Sequence, residues 1–213
     1  MPSSKEAIAC TPIAVDPTKF NPSVDLPFGL TVNHVNLAMT EFVEFLGFVN
    51  SQLHKRRIER LESFLMPANF SSIVGEFTAA AIPKYCNGIV RNNYHNGHPD
   101  LIPRGRYTDD AAQHANEGVE IKASRHLRGW QGHNPEDVWL MVFVFDANAS
   151  RDVVRGAAPK PFRFVKVVGG MLTKDDWTFS GRSETSRRTI TASINRSGFQ
   201  KMEANWIYRS EQQ

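Results

Sequence analysis

Val138-Trp139-Leu140-Met141-Val142-Phe143-Val144-Phe145 is an unbroken apolar run. A strand with one wet face alternates apolar and polar residues, because successive side chains point to opposite sides. A strand with no alternation is buried on both faces, at the centre of a sheet covered on either side. The run is far too short to span a bilayer, and no other apolar stretch reaches transmembrane length. The expected fold class is therefore α/β, with a central β-sheet flanked by helices.

The covering helices are expected upstream. From Met39 to Met66, Phe42, Leu46, Val49 and Leu53 recur at helical spacing, and the stripe then shifts to Ile58, Leu61 and Leu65. Lys55, Arg56, Arg57 and Arg60 are expected to face outward, and Pro67 to end the helix. A second helix is expected from Ser71 or Ser72 to Ile82, with a serine N-cap, Pro83 as terminator and Ile73, Phe77 and Ala80 buried. Residues 1–37 hold five prolines with little periodicity and read as an extended arm, residues 38–170 as helices and core sheet, and residues 171–213 as a basic segment, all within one domain.

Short strands follow. Ile89-Val90-Arg91 and Leu101-Ile102 bracket a hairpin-like turn, His95-Asn96-Gly97-His98. In Gly118-Val119-Glu120-Ile121-Lys122-Ala123, apolar residues alternate with Glu120 and Lys122. The two charged side chains thus share one face, about 7 Å apart along the strand. Asp100 lies twenty residues upstream (120 − 100), a separation that a strand, loop and return strand can close. Charges at the edge of a core are costly unless they are paired or bind metal. Oxygen ligands suit Mg²⁺, which keeps several waters and takes one or two carboxylates. A nearby lysine can orient water and offset negative charge. Further apolar pattern places Arg151–Gly156 in a short helical crossover, Phe162–Val168 in a strand broken by Gly169-Gly170, and Ile190–Ile194 in another strand.

Pro99-Asp100 followed by Glu120-Ile121-Lys122 resembles the PD-(D/E)XK motif of the restriction-endonuclease-like nuclease superfamily. The recognisable motifs cover about residues 70–146. The resemblance implies a restriction-endonuclease-like core with a mixed central β-sheet, in which Asp100 and Glu120 bind Mg²⁺ and Lys122 positions or activates the attacking water. The superfamily often places an acidic residue on a helix before the Pro-Asp strand, and Glu76 matches that place as a weaker metal candidate. The function implied is a type II restriction endonuclease that cuts double-stranded DNA and leaves 5′-phosphates. A palindromic target would imply a homodimer, since protein and site symmetry then match.

Charge is unevenly spread. Residues 1–150 carry 13 Lys+Arg against 16 Asp+Glu, whereas residues 151–213 carry 12 against 6. In the basic portion Arg182, Arg187, Arg188 and Arg196 stand among Ser, Thr and Asn195, a mixture suited to phosphates and base edges. Two cysteines without metal-ligand spacing point to a reducing cytoplasm. The N-terminus lacks the apolar stretch of a signal peptide. His95 and His98 with Asp100 make a poor zinc set, because no third histidine has helpful spacing and turn chemistry already explains Asn96-Gly97. The alternatives are a DNA repair or structure-specific nuclease on the same core, and a non-catalytic DNA-binding protein on a decayed nuclease fold.

Overall fold

The computed structural model describes residues 4–132, 134–180 and 191–210. Element order is α1 (Ser4–Ala9), α2 (Val32–Lys55), α3 (Leu61–Phe64), α4 (Pro67–Tyr85), β1 (Ile89–Arg91), β2 (Leu101–Pro103), β3 (Val119–Ser124), β4 (Gln131–Gly132), β5 (Val138–Asp146), α5 (Ser150–Val154), β6 (Arg163–Leu172), β7 (Trp177–Ser180), β8 (Thr191–Ile194), α6 (Arg196–Ala204) and β9 (Trp206–Arg209). Six strands form a mixed sheet in the order β1-β2-β3-β5-β6-β9, and β4-β8-β7 form a smaller antiparallel sheet. Among the described residues of the large sheet, only β3 and β5 are parallel.

The apolar run is β5, which lies between β3 and β6. Met141, Phe143 and Phe145 enter the core that α2 and α4 complete with Phe42, Leu46, Phe70 and Val74. Val138, Leu140, Val142 and Val144 enter a second core, with Trp130 just before β4, Ile194 of β8 and Met202 of α6. One strand thus supplies both cores, which is why its sequence shows no alternation. Burying a Leu or Phe side chain stabilises by about 1.5–3 kcal/mol, so β5 is a large contributor on both sides.

The helices differ from the periodicity reading at their ends. Helix α2 starts at Val32, where Thr31 Oγ1 accepts from His34 N at 3.4 Å, and it stops at Lys55. Arg57 takes φ +59°, a value that closes the helix, and Ile58 is exposed. Arg60 does not face outward. It is buried, donating to Glu6 Oε1 (2.8 Å), Glu62 Oε1 (2.7 Å), Lys160 O (2.8 Å) and Asn148 Oδ1 (2.9 Å). Asn50 Nδ2 completes the cluster by donating to Glu62 Oε2 at 3.0 Å. Pro67 opens α4 at its first turn, where a missing N–H costs nothing, and α4 continues past Pro83 to Tyr85. Its fully buried face runs through Val74, Thr78, Ala81 and Ile82, while Ile73, Phe77 and Ala80 are half-buried beside it.

The N-terminal arm holds the short helix α1 and is strapped across the far sheet edge. Ile13 N donates to Phe162 O (2.8 Å), Asn21 N donates to Ile207 O (3.0 Å), and the Phe20 and Tyr208 rings lie 4.9 Å apart. Strand β6 does not break at Gly169-Gly170. A Cβ at Gly169 would lie 2.3 Å from the Trp139 ring, so the glycine admits the indole rather than ending the strand. Arg151–Gly156 is helical only over α5, and its connection returns antiparallel from β5 to β6. Asn195 starts α6, which the apolar pattern did not announce.

Candidate functional site

The site forms where β2 meets β3. The β1–β2 connection turns through Tyr94–Gly97, with Gly97 N donating to Tyr94 O at 2.9 Å and Asn96 at φ +57°. Asn92 braces this loop. Its amide donates to Pro99 O (3.1 Å) and Ala112 O (2.8 Å), and its Oδ1 accepts from Tyr94 N (3.1 Å) and Ala112 N (3.0 Å). Gly118 immediately precedes the return strand at φ +151°, where a Cβ would stand 2.3 Å from Leu101 O. Only glycine lets the two strands approach this closely.

Leu101 pairs with Val119, which sets Asp100 beside Glu120. Ile121 N donates to Asp100 Oδ2 (2.8 Å), and Asp100 N donates to Glu120 Oε2 (3.3 Å). Val119 and Ile121 enter the helix-side core, so Glu120 and Lys122 project from the opposite face. There Lys122 Nζ donates to Glu120 Oε1. The structure therefore brings Asp100, Glu120 and Lys122 together.

His98 and Glu136 join them, and sequence reasoning assigned neither. His98 Nδ1 lies 3.1 Å from Glu120 Oε2, and Nε2 lies 2.7 Å from Glu136 Oε2. For His98 the sequence offered only its nearness to Asp100, two residues away, and strand alternation does not apply because β2 begins at Leu101. Glu136 has no such signal, since it arrives on the long β3–β5 connection.

Glu76 lines the same cleft but is paired with Arg91 at the rim, and both side chains are more than half exposed. The cleft measures about 810 Å³ and is walled by the 91–98 loop, with Asp100, Glu120 and Lys122 at its base. A smaller cavity of about 190 Å³ continues past Asp100 and Lys122 to Ser71 and Ser72 on α4.

Electrostatics divide the two carboxylates. Burial raises the pKa of Asp100, and the charge of Glu120 raises it further, against the Ile121 N–H and Lys122. Burial pushes Glu120 up as well, but His98 and Lys122 outweigh that and hold it below the usual range. Burial would lower His98, yet Glu120 and Glu136 together raise it to about 10. Lys122 is raised too, burial being overcome by Glu120 and then Asp100. At neutral pH the pocket holds two cations on Glu120 and a second carboxyl resisting ionisation, the pattern of groups with differentiated acid–base character.

No group of three or more His, Cys, Asp or Glu side chains stands in a metal-holding arrangement among the described residues. Two adjacent carboxylates nonetheless fit Mg²⁺, which completes its shell with water. Burial and then the Glu120 charge hold the pKa of Asp100 above its ordinary value, and a divalent cation beside both carboxylates would offset them.

Of the expected DNA contacts, Arg182, Arg187 and Arg188 lie outside the described residues. Arg196 is exposed on the first turn of α6. Asn195 is its N-cap, with Oδ1 accepting from Gly198 N (3.1 Å) and Nδ2 donating to Asp175 O (2.7 Å), so its amide is engaged within the fold. Among the described residues no helix is long and apolar enough to cross a membrane. Comparison of the chain with protein-family models, curated proteins and solved structures returned no match.

Proposed function

We propose that this protein is a Mg²⁺-dependent endonuclease with a restriction-endonuclease-like core of the PD-(D/E)XK type, cutting double-stranded DNA at a short specific site. The observation that carries the reading is the convergence of Asp100, Glu120 and Lys122 at the base of an open cleft, from a hairpin strand and its return. Chance occurrences of Pro-Asp and Glu-x-Lys have no reason to meet in space. The mixed sheet with β5 beside β3 supports the same reading.

Asp100 and Glu120 would hold the cation, which when bound supplies Lewis acidity toward a phosphate and a water of lowered pKa. Lys122 stands beside Glu120 and is fully charged at neutral pH. It orients the attacking water and offsets negative charge as it develops on the phosphate. Glu76, salt-bridged at the rim, is the weaker ligand candidate and would first leave Arg91. Arg196, with Arg182, Arg187 and Arg188, would contact the duplex. A two-fold homodimer would match a palindromic site.

The test is a plasmid digest with Mg²⁺, with the fragment ends sequenced. Discrete bands carrying 5′-phosphates are expected. Nicking that depends on DNA structure would move the assignment to a repair nuclease, and binding without cutting would make the chain a DNA-binding module.

A further inference from the structure

The site contains a second pair that the three-residue motif does not use. His98 sits between two carboxylates, with Nδ1 3.1 Å from Glu120 Oε2 and Nε2 2.7 Å from Glu136 Oε2. Both ring nitrogens are occupied. In this arrangement His98 has no lone pair for a metal and no nitrogen facing a water, so it is neither ligand nor general base. What it does is hold a carboxylate oxygen.

Glu136 is a firm anchor for that hold. Its carbonyl accepts from Trp177 Nε1 at 2.9 Å, and Oδ1 of the next residue, Asp137, accepts from Lys174 N at 2.9 Å. The β3–β5 connection is thereby pinned to β7 and the turn before it. On the other side, His98 is tied into the hairpin, its N–H donating to Gln113 O (3.0 Å) and its carbonyl accepting from Ala115 N (2.8 Å). The segment around Glu136 and the β2–β3 hairpin thus meet through one imidazole at Glu120.

We propose that His98 and Glu136 are positioning residues: Glu136 fixes the imidazole, and the imidazole fixes the Glu120 carboxylate beside Asp100 for metal binding. This rests on the metal-dependent reading of the site. It follows the general behaviour of metal sites, in which a group hydrogen-bonded to a ligand orients it and its loss weakens metal binding about 10–100-fold.

A competing account treats the pair as charges only, and the two accounts differ in sign. If only charge mattered, His98→Ala would leave Glu136 as an extra anion and tighten metal binding, whereas Glu136→Ala would leave a bare cation and weaken it. If the pair acts as a brace, both changes weaken binding. Their effects are then not additive, because Glu136 acts only through His98.

The experiment is a double-mutant cycle on the full-length protein, read by calorimetric titration with Mn²⁺ and by DNA cleavage in Mg²⁺, with thermal melts to confirm folding. His98→Ala and Glu136→Ala are each expected to weaken Mn²⁺ binding about tenfold. The double variant should be no weaker than His98→Ala. Glu136→Gln, which still accepts from Nε2, should recover most of the affinity lost in Glu136→Ala. Tighter binding in His98→Ala, parental affinity in both alanine variants, or additive losses would each overturn the brace. A parent protein that binds Mn²⁺ but leaves DNA intact would sink the nuclease reading and leave the cycle to decide the brace. A parent that binds no Mn²⁺ would overturn both.

Discussion

Two aspartates in this protein, one buried and one half-buried, live under opposite conditions. Asp176, in the turn before β7, is almost completely buried, and burial alone would raise its pKa. Lys201 Nζ (2.6 Å), Thr173 N (2.9 Å), Thr173 Oγ1 (3.1 Å) and Ser197 Oγ (2.9 Å) all donate to it, and they bring its pKa down to about 2. Asp100, at the base of the cleft, receives one backbone N–H and faces another carboxylate, and its pKa is driven up. The first charge is surrounded by donors and holds a turn against α6. The second is left short of donors beside open space. A buried charge that is fully satisfied reads as architecture; one that is frustrated next to a cleft reads as chemistry.

The largest effect is expected at the frustrated pair. Asp100→Asn or Glu120→Gln should reduce DNA cleavage about a thousandfold or more, since each removes a group that acts on the transition state. Asp100→Asn should at the same time raise the melting temperature at pH 7–8. The sign follows from linkage: a carboxyl with a raised folded-state pKa costs stability as pH climbs above its ordinary value of 3.8. An asparagine keeps an acceptor for Ile121 N and carries no charge. Cleavage assays and melts on one preparation check both halves, and full activity in Asp100→Asn would sink the site assignment.

Next in size is the cluster under α3. Arg60→Ala leaves Glu62, almost fully buried, without its cation. We predict a loss of about 3–5 kcal/mol in urea unfolding, as for breaking a buried ion pair. A loss below about 1 kcal/mol would mean that the cluster is solvated.

Asp176→Asn should cost about 2 kcal/mol at neutral pH, from a folded pKa of about 2 against an ordinary 3.8. The pKa is depressed, so the stabilisation is complete above 3.8 and disappears as pH falls through about 2. Parent and variant should therefore converge in stability when unfolding is followed from pH 5 downward. A gap that persists at pH 2 would show that packing, not charge, sets the difference. Together with Asp100→Asn, this pits one chemical change against itself: stabilising at the cleft, destabilising at the turn.

The smallest effect is expected at Arg196. Arg196→Ala should change stability by less than about 0.5 kcal/mol, as for exposed positions generally. If it contacts phosphate, the variant should bind all duplexes more weakly and flatten the salt dependence by about one unit of slope. Unchanged binding at every salt concentration would remove it from the DNA interface.

Much of this was legible from residue order because it is local and periodic. The continuous apolar run could only be a strand covered on both faces, and β5 is one, since the pleat alone dictates which residues enter which core. Alternation put Glu120 and Lys122 on one face, and a turn of the right length brought Asp100 beside them. Helix ends are less legible: Pro67 after an apolar stripe suggests a stop, but proline serves a first helical turn equally well.

What only the tertiary structure decided is which distant groups a charge meets. Arg60 is on paper one of four basic residues on a solvated face. In the fold it is buried, because Glu6, Asn148 and the Lys160 carbonyl converge on it from separate segments beside its near neighbour Glu62. His98 is on paper half of a failed zinc site, and Glu136 carries no sign at all. Their meeting depends on the packing of the β3–β5 connection against β7. Backbone periodicity is a property of neighbours in sequence. The energy of a buried charge depends on whatever lies within a few ångströms, and that is settled only when the chain has closed on itself.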